Sequence, residues 1–233
     1  MPCGRGRPTG YLRPVTGPLL AAGREADVYA LDDRRVLRRY RREADVAGEA
    51  DAMRYLAGLG YPVPAVYEAA GRDMVLERLD GPTMAQALLA TALALDEAAA
   101  CLAGLLRRLH DLPPWPGAPA GSALLHLDLH PENVLMTAQG PVVIDWCNVR
   151  PGEPDLDTGL TALILAQVAV AHEHEWSAPA EGLLAAFLRV APGAPARLLD
   201  DVVRHRSRQL DTLTPAEVGL IGTAAERIRA CAR

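Results

Sequence analysis

The sequence predicts an α+β fold in two unequal lobes, a small antiparallel sheet carrying one helix and then a larger helical lobe. Three observations carry that expectation. Short runs rich in Val, Leu and Tyr, split by tight-turn residues, fill residues 17–80 with the two-residue period of strands. Past Gly81 the apolar spacing changes to three and four, the period of helices. Aromatic residues make up only 4% of the chain, with a single Phe, so the core must be built from Leu, Val, Ala and Ile; this argues against aromatic-rich sandwiches and against stacking platforms for single-stranded nucleic acid.

The elements follow in order. Residues 1–16 form a Gly/Pro/Arg-rich, flexible lead-in. Leu19 to Leu31 reads as strand, turn at Gly23–Asp27, and strand, and Asp32–Asp33 turns the chain into a third strand over Arg35–Tyr40. Glu43 to Leu59 carries Val46, Ala50, Met53 and Leu56 at helical spacing, with a stop at Gly58 and Gly60. Val63–Tyr67 and Met74–Glu77 are strands parted by Gly71–Arg72. This places the first lobe at 17–80, a connector near Arg78–Gly81, and the second lobe at 81–233. In the second lobe Thr83–Leu89 is a short helix, Asp96 caps a longer one running to Leu112, and Pro113–Gly121 is a loop. Val134–Met136 and Val142–Ile144 form a hairpin, and Leu156–Glu173, Glu181–Val190, Arg197–Leu210 and Pro215–Arg229 are helices. A cleft between two unequal lobes is a common seat for a ligand.

Composition narrows the class. With 233 residues, 50% hydrophobic and 23% charged, the chain has the make-up of a folded globular protein and not of a disordered one. The longest apolar run, Leu160–Ala171, falls short of the ~20 residues of a membrane span. Met1–Thr9 has no apolar signal core. The four cysteines stand far apart without a CxxC pair, as expected of reduced thiols in a cytoplasm. All 24 basic residues are Arg, which with the Ala richness suggests a GC-rich bacterial genome and excludes a Schiff base or a lysine phosphate clamp. Residues 1–54 hold 11 arginines against 8 acids, but the whole chain is acidic at −5, which disfavours nucleic acid as the main partner.

The most informative segment is His126-Leu-Asp-Leu-His-Pro-Glu-Asn133, followed by the hairpin and Ile144-Asp145-Trp146. It delivers two carboxylates, Asp128 and Asp145, and the Asn133 amide to the ends of neighbouring strands. Few protein oxygens, completed by phosphates and waters, are what Mg²⁺ accepts. Taken singly, Asp128 and Asn133 are also ordinary turn formers. A zinc site from the alternating His126, Asp128 and His130 is an alternative reading. It lacks further ligands, Pro131 ends the strand, and His172-Glu-His-Glu175 has no HExxH spacing.

This segment resembles the catalytic loop and metal-binding pattern of the protein-kinase-like fold. With His130-Pro131 inside the loop and Asp145-Trp146 in place of Asp-Phe-Gly, it is most similar to the aminoglycoside phosphotransferase and choline kinase-like family, over roughly Leu19 to Leu165. The resemblance implies a kinase using ATP and Mg²⁺ on a small-molecule hydroxyl acceptor. Asp128 would be the catalytic base, Asn133 and Asp145 the metal ligands, and His126 a structural residue of the loop. It also implies a turn over the ATP phosphates at Gly23, with Val28 beside it; a single glycine suits a plain hairpin turn equally well. Val36-Leu37-Arg38 takes the place of the Val-Ala-Ile-Lys element, with Arg38 where the family has Lys, and Val36 on the same strand face. A helical Glu should pair with that cation: Glu49, with Glu43 as the fallback, or an ordinary surface Glu. The main chain at Glu77 to Leu79 would meet the adenine. The other arginines of Arg34–Arg42 read as a solvated strand edge, or as a nucleic-acid patch that no other feature supports.

On the acceptor side Glu153 and Asp155, with Glu173, Glu175 and Glu181, are the candidate carboxylates for a cationic amine, whereas Asp157 equally suits a helix cap or anchor. The acidic second lobe points to a cationic or neutral acceptor. A catalytically weak or dead relative that binds nucleotide or protein is the alternative function, suggested by Arg38 and the single-glycine turn.

Overall fold

The structure, a computed structural model, describes residues 17–171, 175–209 and 213–231. The expected lead-in at 1–16, Cys3, and the His172–Glu173–His174 segment lie outside the described residues.

Five antiparallel strands form the first layer in the order β1-β2-β3-β5-β4. They are β1 (Leu19–Ala22), β2 (Ala26–Ala30), β3 (Arg35–Tyr40), β4 (Val66–Ala70) and β5 (Asp73–Glu77). The expected strand at Val63 starts instead at Val66, because Pro62 and Pro64 have no N–H to give a ladder. The turn after β1 is tighter than expected, Asp27 already being paired with Arg39 across β2 and β3. Helix α1 (Val46–Gly58) packs on this sheet; Asp45 caps it by accepting from the Gly48 N–H at 2.9 Å.

The helical body begins with α2 (Met84–Leu89), opened by a capping box in which the Thr83 hydroxyl accepts from Gln86 N–H and the Gln86 side chain accepts from Thr83 N–H. Helix α3 (Leu95–His110) starts two residues before Asp96, at an Ala94 N-cap whose N–H donates to Glu97 Oε2 at 3.3 Å. Asp96 instead lies in the first turn, where a carboxylate favours the helix dipole, and pairs with Arg189. Strands β6 (Ala123–Leu125) and β9 (Arg150–Gly152) pair with each other, a ladder too short to show as a period in the sequence. Between them lie a 3₁₀ turn over Pro131–Asn133 and the hairpin β7 (Val134–Thr137) and β8 (Gly140–Val143). The remaining helices are α4 (Pro154–Ala169), α5 (Ser177–Val190), α6 (Leu199–Arg206) and α7 (Pro215–Cys231). Helix α4 is buried nearly all the way round, with α5, α6 and α7 against it. It is the post on which the site is hung.

Sheet and helical body are stitched at the hairpin. Val143 N–H donates to Pro62 carbonyl at 2.9 Å and Met136 N–H to Pro82 carbonyl at 2.8 Å. Gly81, at the change of pattern, has φ +148°, and a Cβ there would overlap the Met136 carbonyl oxygen. Glycine is required at this crossing. One apolar core runs through both layers, from Leu56 and Met74 to Leu102, Trp146, Leu163 and Phe187. Among the described residues no helix is long and apolar enough to cross a membrane.

Candidate active site

The segment between β6 and β7 is held from below by Asp157, in the first turn of α4. Its fully buried carboxylate accepts from His126 N–H at 2.9 Å, Leu127 N–H at 2.7 Å and His110 Nε2 at 3.0 Å. Asp157 is thus an anchor and not a cap; the N-cap position belongs to Glu153. Leu127 sits at φ +62°, a left-handed conformation that costs a non-glycine residue ~1–2 kcal/mol. The Asp157 carboxylate holds it there, and the turn presents Asp128 beyond it.

His126 is buried and spent. Its Nδ1 accepts from Asp128 N–H at 3.2 Å, so its Nε2 donates to the Ile144 carbonyl at 3.0 Å, and its ring meets Trp146 edge-on at 4.6 Å. Neither nitrogen is left for zinc, and among the described residues no cluster of three His, Cys, Asp or Glu side chains is arranged to hold a metal ion.

Asn133 Nδ2 donates to the Asp128 carbonyl at 2.9 Å and to Asp128 Oδ2 at 3.3 Å. With its amide nitrogen so engaged, its carbonyl oxygen is the end left for a cation. Asp145 lies two residues past β8 at φ +67°, and Ile144 N–H donates to the main-chain carbonyl of Asn133 at 3.0 Å, which couples the two turns. Asp128 and Asn133 are thus bonded to each other, and the turn that carries Asp145 is tied to Asn133 through the main chain.

Arg38 completes the group. Its Nη1 donates to Glu49 Oε1 at 2.8 Å and its Nη2 to Asp145 Oδ1 at 2.6 Å. Burial alone would lower the guanidinium's pKa, but the Asp145 and Glu49 charges outweigh it and hold it above the ordinary value. Glu49, only 5% exposed, also accepts from Tyr40 OH at 2.5 Å and Trp146 N–H at 3.2 Å. It ties β3, α1 and the Asp145 turn together; Glu43 takes no part in this network.

Burial pushes the Asp128 carboxyl up, but the His130 hydrogen bond and the charges of His130, Arg206 and His126 outweigh it and hold it below the usual carboxylate range. Arg206 was not foreseen. It stands on α6, 78 residues away, and its Nη1 lies 3.3 Å from Asp128 Oδ1.

The Gly23 turn closes over this centre. Arg24 donates to Glu217 Oε1 at 2.7 Å, bridging the turn to the start of α7, and Glu25 is near enough that burial and the Asp145 and Asp128 charges raise its carboxyl. Val28 lies directly opposite Arg38 in the sheet, and Val36 is buried beside them. At the connector, Glu77 and Arg78 spend their N–H groups on the Ala65 and Arg34 carbonyls. Of the Glu77–Leu79 stretch, only the Leu79 N–H has no partner among the described residues.

Most of the acceptor-side acids are engaged in ion pairs. Glu153 and Asp155 are both taken by Arg197, the former at 2.7 Å, and Asp155 also accepts from Ala194 N–H at 3.0 Å. They bracket the loop before α6. Glu181 is likewise held by Arg227, Glu175 is exposed, and Glu173 lies outside the described residues.

A family model described as the phosphotransferase enzyme family matches residues 16–123 and 114–199, which takes in every residue of this site except those on α6 and α7. The chain belongs to that family. Several solved structures share the fold at low identity. An aminoglycoside phosphotransferase, APH(4)-Ia, superposes with a TM-score of 0.60 at 16% identity, 92% of each chain being covered. A choline/ethanolamine kinase family protein from Mesorhizobium loti gives 0.58 at 18% identity, covering 94% of this chain and 90% of that one. A choline kinase from Cryptosporidium parvum gives 0.59 at 11%, covering 92% and 88%. No curated protein sequence matches the chain significantly. The phosphotransferase fold is thus the protein-kinase-like one, with an antiparallel sheet and a helical body.

Proposed function

We propose that this phosphotransferase moves the γ-phosphoryl group of ATP, with Mg²⁺, to a hydroxyl of a small molecule, inside the cell. The observation that carries the reading is the pairing of Asp128 with Asn133 and of Asp145 with Arg38 and Glu49, the two groups joined through the Ile144 N–H to the Asn133 main-chain carbonyl. The hard oxygens of Asn133 and Asp145 fit Mg²⁺, which would supply charge neutralisation on the phosphates. Neighbouring structures in complex with ATP or its analogue are in keeping with this nucleotide.

The chain's own residues divide the remaining work. Asp128, kept ionised, accepts the hydrogen bond of the attacking hydroxyl and aims its oxygen; a loose transition state asks for orientation more than for a strong base. Arg38, held by Glu49, offers its fork to the nucleotide phosphates. Asp145 would be one of the residues to hold the metal, and Arg38 Nη2, which pairs with it here at 2.6 Å, would then be available to the phosphates. Arg38 spans two carboxylates with the two arms of a rigid planar fork, a geometry that the compact ammonium of lysine does not reproduce. The Gly23 turn covers the phosphates, Val28 and Val36 wall the base, and the main chain near Leu79 meets its edge.

The test is Asp128→Asn, with ADP release measured over a panel of amino-alcohol, sugar and hydroxy-acid acceptors. Nucleotide binding is expected to persist and transfer to disappear. Transfer at the wild-type rate would refute the assignment. One observation favours a second reading, a nucleotide-binding module without turnover: the Arg38–Asp145 contact at 2.6 Å occupies a metal-ligand position. That reading requires nucleotide binding that is indifferent to Mg²⁺.

A further inference from the structure

Arg206 is an unusual cation. Its side chain is only 12% exposed, yet no close carboxylate saturates it. Its Nε donates to Gln167 Oε1 at 3.1 Å and its Nη1 to Gln209 Oε1 at 2.9 Å; Gln167 is itself fixed through Nε2 to the Glu217 carbonyl at 2.9 Å. The Asp128 contact, at 3.3 Å, is longer than the 2.7–2.9 Å of a tight charge-assisted bond. Nothing among the described residues accepts from Nη2. A guanidinium oriented by neutral amides keeps its charge on offer to whatever lies beside Asp128.

Its surroundings add charge of the same sign. His205 Nδ1 lies 3.2 Å from Arg150 Nη2, and His205 Nε2 is buried without a partner. Burial first, then the charges of Arg150, Arg206 and Arg208, lower that imidazole's pKa below its ordinary value. Neither Arg150 nor Arg208 forms an ion pair among the described residues. The acids that might have offset them are engaged elsewhere: Glu153 and Asp155 by Arg197, Glu181 by Arg227, and Glu217 by Arg24.

We infer that the acceptor carries an anionic group, a carboxylate or a phosphate, a few bonds from the reacting hydroxyl, and that Arg206 receives it beside Asp128. This rests on the phosphotransferase reading above and reverses the sign of acceptor suggested by the overall charge. An ammonium beside Asp128 would face the Arg206 guanidinium, with Arg150 behind it across His205. A bidentate fork suits the planar carboxylate or the phosphate. Arg206 contacts both the base and the bound acceptor, and so sets specificity.

The experiment uses four compounds on one three-carbon frame: glycerol, 3-amino-1,2-propanediol, D-glycerate and glycerol 3-phosphate. Each is titrated into the protein saturated with Mg²⁺ and ADP, at matched ionic strength, and the unfolding midpoint is followed. The two anions are expected to raise the midpoint, with affinity falling at least tenfold in Arg206→Gln; the neutral and cationic compounds are expected to leave it unmoved. If Arg206→Gln does not fold, Arg150→Gln is used, and a weaker loss of anion affinity is expected. A shift by the amine, an anion shift equal in the variants, or no anion shift at all while ADP still stabilises the protein would each overturn the inference. No stabilisation by ADP and Mg²⁺ would instead overturn the nucleotide reading on which it rests.

Discussion

Removing the Asp157 carboxylate should loosen the turn that carries Asp128 without touching Asp128 itself. Asp157→Ala strips the acceptor from two buried backbone N–H groups, His126 and Leu127, and from His110 Nε2. Each buried donor left without a partner costs ~1–3 kcal/mol, and with relaxation of the turn the net loss should be about 3–5 kcal/mol, toward the lower end of the sum over three donors. Against a typical total of ~5–15 kcal/mol, the variant remains folded but marginal. Part of the loss is returned as Leu127 relaxes from its left-handed φ of +62°, and that relaxation carries the base out of place. Urea unfolding gives the stability, and amide hydrogen exchange reads the turn directly. We expect the His126 and Leu127 amides to exchange at least ~100-fold faster than global destabilisation alone explains. Asp157→Asn, which keeps one acceptor oxygen but sets an N–H₂ against the donors, should fall between. A loss below ~1 kcal/mol with both amides still protected would refute the reasoning.

Two further predictions concern charge. Arg38→Ala leaves Glu49 buried without its cation and should cost about 2–4 kcal/mol while weakening nucleotide binding, whereas Arg38→Lys should restore only part of either; unfolding curves and nucleotide titrations check both. Burial raises the Glu217 carboxyl, but its bonds to Arg24 and to Thr214 prevail and bring it down to about 2. A carboxyl depressed in the folded state stabilises at pH above its unfolded value near 4.5 and loses that contribution as pH falls through about 2. Wild type should therefore exceed Glu217→Gln in stability at pH 6 by about 1 kcal/mol, the gap closing toward pH 2; a gap that does not depend on pH would contradict the latch.

What the sequence made legible was whatever depends on spacing along the chain. The strand alternation of Arg35–Tyr40 and the heptad-like run of α1 bring Arg38 and Glu49 together, and the His126–Asn133 pattern brings the base beside the amide. What it hid depends on contacts between distant elements. Asp157 looks like any acid in a first helical turn; only the packing of α4 beneath β6 makes it an anchor. Arg206 shares its stretch with Arg204 and Arg208, and no periodicity separates the one that turns inward. Glu153 and Asp155 read as candidate acceptor-binding carboxylates because nothing local announces Arg197, some forty residues on. Three-residue ladders such as β6 and β9 are too short to leave a period at all.

We propose a nucleotide cleft whose metal would be held by Asn133 and Asp145. Thermal unfolding of the full chain with millimolar ATP, in Mg²⁺ and again in EDTA, tests it most directly. A ligand present at ~100 times its Kd adds ~2.7 kcal/mol to the native state, a plainly measurable rise in midpoint. We expect that rise in Mg²⁺ and its loss both in EDTA and in Asp145→Asn. An equal rise with and without the metal would favour the module without turnover, and no rise under any condition would contradict the account.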